Sequence, residues 1–205
     1  MDEILQISVP SSANLQLPDP TLKNFYEDLE NRVYWMNDEI SEYTLDLAQY
    51  ILRWNREDRD KPIEERKPIR LIICSPGGSL EVAETLNSFI KMSKTPIHGI
   101  GIGMVASAAS LVYLSCHKKY ALDSAYFILH KGSCSGLNGN FNELEAFMSD
   151  YKQQIAKMVQ FYIENTKYTE EEVNKNINSD WYVRFPEALD KGIVDEMVTD
   201  IDSLI

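Results

Sequence analysis

The sequence has 205 residues, of which 44% are hydrophobic, 25% charged and 10% aromatic, a composition that predicts a folded globular domain and excludes a disordered chain. The formal net charge of −12 argues against binding to nucleic acid, because contacts to phosphates need clustered Lys and Arg. The first residues, MDEILQISVP, are acidic where a secretory signal is positive, and no apolar run reaches the roughly 18 residues of a membrane span, so we expect a cytoplasmic protein that does not bind membranes.

The N-terminal segment differs in composition from the rest of the chain. Residues 1–20 contain three prolines with Ser and Asn between them, which predicts a flexible arm, and residues 21–205 are predicted to form a single domain. The cysteines Cys74, Cys116 and Cys134 lack CxxC or metal-ligand spacing. We therefore expect reduced, mostly buried thiols and no metal site.

Hydrophobic periodicity and turn residues divide the first half of the domain into alternating elements. We predict a helix from Thr21, as its cap, to Asn31, a strand over Val33–Met36, an amphipathic helix over Ser41–Trp54, a strand over Ile69–Cys74 and a helix over Leu80–Met92. Between the second helix and the second strand, the run REDRDKPIEERKP is typical of a solvated loop.

The second half continues the alternation. We predict a strand over Ile97–Ile102, a helix ending near Ser115, a strand over Tyr126–His130, a long helix over Asn142–Asn165 and a further helix capped by Thr169, whereas residues 132–139 are too rich in Gly, Ser and Asn to assign. The long helix carries an apolar stripe that comprises Leu144, Phe147, Met148, Tyr151, Ile155, Met158, Val159 and Tyr162. Strands that alternate with helices predict an α/β fold with functional groups at the carboxyl ends of strands.

The segment Gly99–Ser110, GIGIGMVASAAS, has almost no side-chain bulk, so its backbone can turn sharply and lie close to a ligand. From Ala106 the composition favours a helix, which predicts Ser107 at or near a helix N-terminus, where unpaired N–H groups favour negative charge. Ser107 is therefore a candidate nucleophile, with a tightly packed buried helix as the alternative. An α/β-hydrolase is disfavoured, because Ala109 replaces the second Gly of GxSxG.

The partners of a serine nucleophile have few candidates. Of three histidines, His98 and His117 are expected at the surface, whereas His130 ends the apolar strand YFILH, where open α/β folds expose catalytic side chains. Asp180, in NSDWYVRFPEA, is the candidate orienting carboxylate. A structural role for His130 and a helix cap or turn role for Asp180 are the alternatives.

An oxyanion hole needs backbone N–H groups that can approach a substrate carbonyl. The available donors are the N–H of Ala108 and a donor from the turn Pro76-Gly77-Gly78, whose glycines allow close approach.

Four segments together resemble one family. SPGGS at 75–79, GIGMVASAAS at 101–110, YFILH at 126–130, and an Asp followed by PEA and GIVD over 180–195 are similar, in order and spacing, to the signature segments of ClpP, the serine peptidase subunit of the Clp protease. The resemblance implies a ClpP/crotonase-like spiral of strand-strand-helix units with a protruding helical handle. It implies Ser107 as nucleophile, His130 as base, Asp180 as acid, and the N–H groups of Gly78 and Ala108 as oxyanion donors.

The resemblance also implies assembly and partners. These are two stacked heptameric rings, unfolded protein or peptide substrates and an AAA+ unfoldase that alone uses ATP, with no cofactor on this chain. Arg70 and Ile72 occupy strand positions that are commonly aromatic in the family's docking pocket, so we expect weak or absent stimulation by a standard unfoldase. A crotonase-type acyl-CoA hydratase or isomerase, and a catalytically idle subunit of a mixed ring, are the alternatives.

Overall fold

The computed structural model describes residues 19–132 and 138–204. The described helices are α1 (Pro20–Glu30), α2 (Asp46–Glu57), α3 (Leu80–Met92), α4 (Ala108–Ser115), α5 (Phe141–Asn165), α6 (Glu170–Asn176) and α7 (Glu187–Asp190). The described strands are β1 (Val33–Met36), β2 (Ile69–Ser75), β3 (Ile97–Ala106), β4 (Lys118–Ala121), β5 (Tyr126–Leu129), β6 (Trp181–Val183) and β7 (Glu196–Met197). The predicted α/β class is confirmed.

The sheet is parallel except at one edge. Its main path runs β1-β2-β3-β4-β7, and all these neighbours pair in parallel. Strand β3 is longer than predicted and changes partner along its length, because residues 98–101 pair with β4 whereas residues 104–106 pair with β5. Strand β6 then adds to β5 in the antiparallel direction. As a result, the carboxyl ends of β3 and β5 lie side by side, with the amino end of β6 beside β5.

The core lies between this sheet and helices α2, α3 and α4. Every residue of α4 is buried, which its run of Ala, Ser and Leu residues permits, and α4 packs against α3 as well as the sheet. Helix α5 is different, because only Met158 and Tyr162 of its described side chains are buried. Within the predicted stripe Phe147 and Met148 are exposed, whereas Leu144, Tyr151, Ile155 and Val159 are half-buried.

The prediction of a solvated loop over the charged run is wrong in part. Helix α2 extends into it as far as Glu57, and the Asp58 side chain that follows is fully buried. Arg32 donates to both carboxylate oxygens of Asp58, Lys61 donates to it at 3.0 Å and Thr95 at 3.2 Å. A buried carboxylate needs this full set of donors, which arrive from separate parts of the chain.

Several local predictions also differ from the structure. Asp19, not Thr21, caps α1, and its side chain accepts from the Thr21 N–H. The segment around Ser41 begins with a 3-10 turn, Glu42–Leu45, before α2. The sequence pattern does not predict strands β4, β6 and β7 or helix α7, because each is four residues or shorter and none has an apolar run of four residues such as those of β1 and β5.

The remaining predictions concern thiols, termini and membranes. Cys74 is half-buried and Cys116 is buried, and both are free thiols, whereas Cys134 lies outside the described residues. The predicted arm lies almost wholly outside them too, and its last residue, Pro20, opens α1. Among residues 19–132 and 138–204, no helix is both long and apolar enough to cross a membrane.

Candidate active site

Ser107 lies at the junction between β3 and α4, where it is the N-terminal cap of α4. Its backbone has φ 52° and ψ −126°, a conformation that non-glycine residues rarely adopt and that costs about 1–3 kcal/mol. Its N–H donates to the Ile128 carbonyl at 2.9 Å, which ties the junction to β5. Gly77 lies against the same turn with φ +96°, and a Cβ there would come within 2.7 Å of the Ser107 Cβ. The close approach therefore requires glycine at position 77.

His130 follows the last residue of β5, as predicted from the strand-end pattern. Its Nε2 lies 2.6 Å from the Ser107 Oγ, a hydrogen-bond distance. The parallel pairing of β3 with β5 explains this proximity, because Ala106 is opposite Ile128 and the residues that follow the two strands leave the sheet side by side.

Asp180 precedes β6, and the antiparallel register places it beside His130. Leu129 pairs with Trp181, so the next position along β5 faces the preceding position of β6. The Asp180 Oδ1 lies 3.3 Å from the His130 Nδ1, and the Asp180 side chain is 58% exposed. The structure thus brings Ser107, His130 and Asp180 together in the order in which a nucleophile, a base and an orienting carboxylate act.

The two predicted oxyanion donors lie beside Ser107. The N–H of Ala108 belongs to the first turn of α4, whose N–H groups have no partner within the helix. The Ile40 N–H donates to the Gly77 carbonyl, and the Ser79 N–H donates to the Ile40 carbonyl. Because the Gly77 carbonyl and the Gly78 N–H belong to one trans peptide unit and point in opposite directions, the Gly78 N–H is directed away from Ile40. A Cβ on Gly78 would lie 2.3 Å from the Ile40 carbonyl oxygen, so this turn also requires glycine.

These groups open into a cavity of about 300 Å³. It is lined by Gly78, Leu80, Ser107, Ala108, His130, Lys131, Gly132, Tyr151, Gln154 and Met158. Among these described residues none is an Asp or Glu. Leu80 and Met158 supply apolar surface, and Tyr151 and Gln154 add polar groups from α5.

Residues of α5 that line the cavity were not among the site residues expected from the sequence. Tyr151, Gln154 and Met158 are spaced so that they lie on one face of the helix, and Gln154 is a polar residue on a largely apolar face. A polar residue at this position is the sequence signal that could have identified a face exposed to a ligand.

The other two histidines lie away from the site. His98 lies near the amino end of β3, is half-buried rather than on the surface, and contacts the Tyr120 ring at 5.6 Å between centroids. His117 is exposed, and its Nδ1 accepts from the Ile97 N–H at 3.0 Å. The pKa of each imidazole is lowered, mainly because neighbouring protein atoms remove part of the water around it, even though the His117 residue as a whole is exposed. Their positions separate them from Ser107 by the length of β3.

A parallel sheet with a Ser, His and Asp at the ends of its strands, and with two backbone donors beside the Ser, has the geometry typical of serine hydrolases. Comparison with known proteins narrows this class. The family model described as Clp protease matches residues 26–200 of the chain. The chain belongs to the Clp protease family.

Individual relatives agree with this assignment. The ATP-dependent Clp protease proteolytic subunit 2 of Treponema pallidum is 27% identical over 176 residues, which cover 85% of this chain and 85% of the relative. The ATP-dependent Clp protease proteolytic subunit of Paracoccus denitrificans is 27% identical over 140 residues, covering 67% of this chain and 70% of the relative. A structure of a ClpP1 mutant from Listeria monocytogenes superposes with a TM-score of 0.75 at 24% identity, over 89% of this chain and 99% of that chain. That likeness shows a shared fold.

Proposed function

We propose that this chain is a serine-type endopeptidase of the Clp proteolytic-subunit kind, which hydrolyses peptides and unfolded proteins inside an oligomeric chamber. The observation that carries the proposal is the distance of 2.6 Å between the Ser107 Oγ and the His130 Nε2. At that distance a proton can pass directly from the hydroxyl to the imidazole as the oxygen attacks a carbonyl carbon.

The proposed reaction follows from the geometry. Ser107 Oγ forms a bond to the carbonyl carbon of the substrate while His130 Nε2 accepts the hydroxyl proton, and the carbonyl oxygen becomes an oxyanion between the N–H groups of Gly78 and Ala108. His130 then returns the proton to the leaving amine as the peptide bond breaks. Water attacks the acyl enzyme by the same path, and Asp180 holds the imidazole through its Nδ1–H.

The cavity supports a peptide substrate. It is about 300 Å³ in volume, enough for part of a peptide chain, and Leu80 and Met158 offer apolar surface to a substrate side chain near the bond that is cut. Acyl-CoA hydratase chemistry would need acidic residues at the oxyanion hole, and the described lining of this cavity carries none.

Assembly and partner belong to the same proposal. Phe147 and Met148, on the exposed half of α5, are more than one-third exposed in the single chain, and burial against another subunit would remove them from water. We therefore include two stacked heptameric rings, a cytoplasmic location, and an AAA+ unfoldase that alone uses ATP.

Reaction with a fluorophosphonate probe tests the proposal. The probe should label Ser107, as mapped by mass spectrometry, and Ser107→Ala should lose both labelling and hydrolysis of a short fluorogenic peptide. Ser124→Ala, which removes the hydroxyl of an exposed serine, is the matched control and should behave as wild type. Labelling at another residue, or unchanged peptide hydrolysis by Ser107→Ala, would refute the assignment and leave the idle-subunit or hydratase alternatives.

A further inference from the structure

A chain of hydrogen bonds connects helix α5 to the backbone of the candidate nucleophile. The Tyr162 hydroxyl lies 3.0 Å from the Ser110 Oγ, and Ser110 Oγ in turn donates to the Ser107 carbonyl at 2.6 Å. The Ser110 N–H donates to the same carbonyl at 2.9 Å. Both the Tyr162 and the Ser110 side chains are fully buried.

The direction of these bonds follows from counting protons. A serine hydroxyl can donate one hydrogen bond, and a carbonyl oxygen can only accept, so the Ser110 hydroxyl donates its one hydrogen bond to the Ser107 carbonyl. The Tyr162 hydroxyl must then be the donor to Ser110 Oγ. Burial raises the pKa of Tyr162, so the phenol keeps its proton and stays a donor over the working pH range.

The Ser107 carbonyl matters because it shares a peptide unit with the Ala108 N–H. That peptide bond is trans, since the one cis bond in the described part of the chain precedes Pro186, so the carbonyl and the N–H point in opposite directions. Two donors that fix the carbonyl on the Ser110 side therefore direct the Ala108 N–H to the other side, where Ala108 lines the cavity. Hydrogen bonds to a carbonyl also polarise its peptide unit and strengthen the N–H as a donor.

We propose that Tyr162 and Ser110 are positioning residues, which orient and polarise the Ala108 N–H of the oxyanion hole through the Ser107 carbonyl. This inference rests on the proposed function. With this inference helix α5 has two roles. Met158, one helical turn before Tyr162, lines the cavity, and Tyr162 holds the turn between β3 and α4 that carries Ser107. A phenylalanine at 162 would fill nearly the same volume, so packing does not explain the hydroxyl.

The test compares Tyr162→Phe, Ser110→Ala and the double variant in kcat and KM for a short fluorogenic peptide. Removal of a whole oxyanion donor costs about 100- to 1,000-fold in kcat, so loss of a group behind the donor should cost less, about 10-fold for Ser110→Ala and about 3- to 10-fold for Tyr162→Phe. KM should stay within about 2-fold, because the bonds act on the charge that develops in the transition state. The double variant should match Ser110→Ala alone, since Tyr162 has no carbonyl to act on once Ser110 is gone.

Tyr113→Phe is the matched control. Tyr113 is equally buried, and its hydroxyl donates to the Tyr120 carbonyl at 2.9 Å, away from the cavity. Its kcat should equal that of wild type, and its loss of melting temperature should match that of Tyr162→Phe.

Each result decides between the two proposals. If wild type cleaves the peptide and labels at Ser107, but Tyr162→Phe has the kcat of Tyr113→Phe, the positioning role is refuted and the proposed function stands. Independent, multiplicative losses in the double variant would also refute the positioning role. If wild type neither cleaves the peptide nor reacts with the probe, the proposed function fails and the positioning role fails with it.

Discussion

Asp180→Asn replaces the orienting carboxylate by its amide. The effect of this change on kcat can be calculated from the distance between Asp180 and His130 and from the exposure of the carboxylate. An amide keeps an acceptor oxygen beside the His130 Nδ1 but removes the negative charge that stabilises the imidazolium. With 3.3 Å between the two atoms, Coulomb's law gives about 1.3 kcal/mol at a dielectric constant near 80 and about 5 kcal/mol near 20. Because the carboxylate is 58% exposed, solvent screens it, and we expect a value of about 2–3 kcal/mol.

That value corresponds to a loss of about 30- to 150-fold in kcat for Asp180→Asn. The assay is steady-state hydrolysis of a fluorogenic peptide, with Asp123→Asn, an exposed carboxylate elsewhere, as the matched control. Raising the salt concentration to 1 M, where the Debye length is about 3 Å, should lower kcat of wild type and have little effect on Asp180→Asn. A loss below about 3-fold would show that Asp180 does not act on His130. A loss near 10,000-fold would show that the amide also fixes the wrong tautomer of the His130 imidazole, an effect beyond the loss of charge worked out above.

Three further predictions concern stability, assembly and the partner. Asp58→Asn removes the buried partner of the Arg32 guanidinium and leaves only the Glu57 carboxylate, which is 3.4 Å away and 45% exposed. It should cost about 3 kcal/mol, the lower end of the cost of a broken buried pair, or roughly 6–12 °C in melting temperature, whereas the exposed neighbour Asp60→Asn should cost almost nothing. Hydrogen bonding from Arg32 holds the pKa of Asp58 below its usual value of about 3.9, so this stability is present above about pH 4 and is lost at lower pH. The deficit of Asp58→Asn should therefore shrink below pH 4 in thermal melts, and a constant deficit from pH 7 to pH 3 would contradict the linkage. Native mass spectrometry should detect heptamers or tetradecamers that Phe147→Glu weakens, because a charge would replace an apolar contact, and an active monomer would contradict the chamber. A standard Clp ATPase ring should stimulate degradation of an unfolded protein weakly, because a desolvated Arg70 opposes an apolar anchor, and strong ATP-dependent degradation would refute this.

The sequence sufficed for the parts of the fold that depend on local patterns. Strand β5 is a continuous apolar run, β2 is apolar apart from Arg70 and its terminal Ser75, and long helices such as α3 and α5 show a clear period, so the existence and type of these elements were predictable. The position of Ser107 at the start of α4 also follows from local composition, because residues 106–110 are all Ala or Ser and helix-forming residues follow them. The placement of candidate site residues after strand ends rests on the same local signal.

The tertiary structure decided everything that depends on which distant segments meet. Strand β3 changes partner from β4 to β5 along its length, and this change, which no local pattern encodes, carries His130 to Ser107. The charged run looked solvated because its own composition is polar, but Asp58 is buried by donors that lie 26 and 37 residues away along the chain. Tyr162 likewise belongs to an apolar stripe in sequence, and only its contact with Ser110, 52 residues earlier, gives its hydroxyl a partner. Periodicity reports which face of an element is apolar, whereas hydrogen bonds and ion pairs depend on side-chain positions that are fixed only when the elements pack.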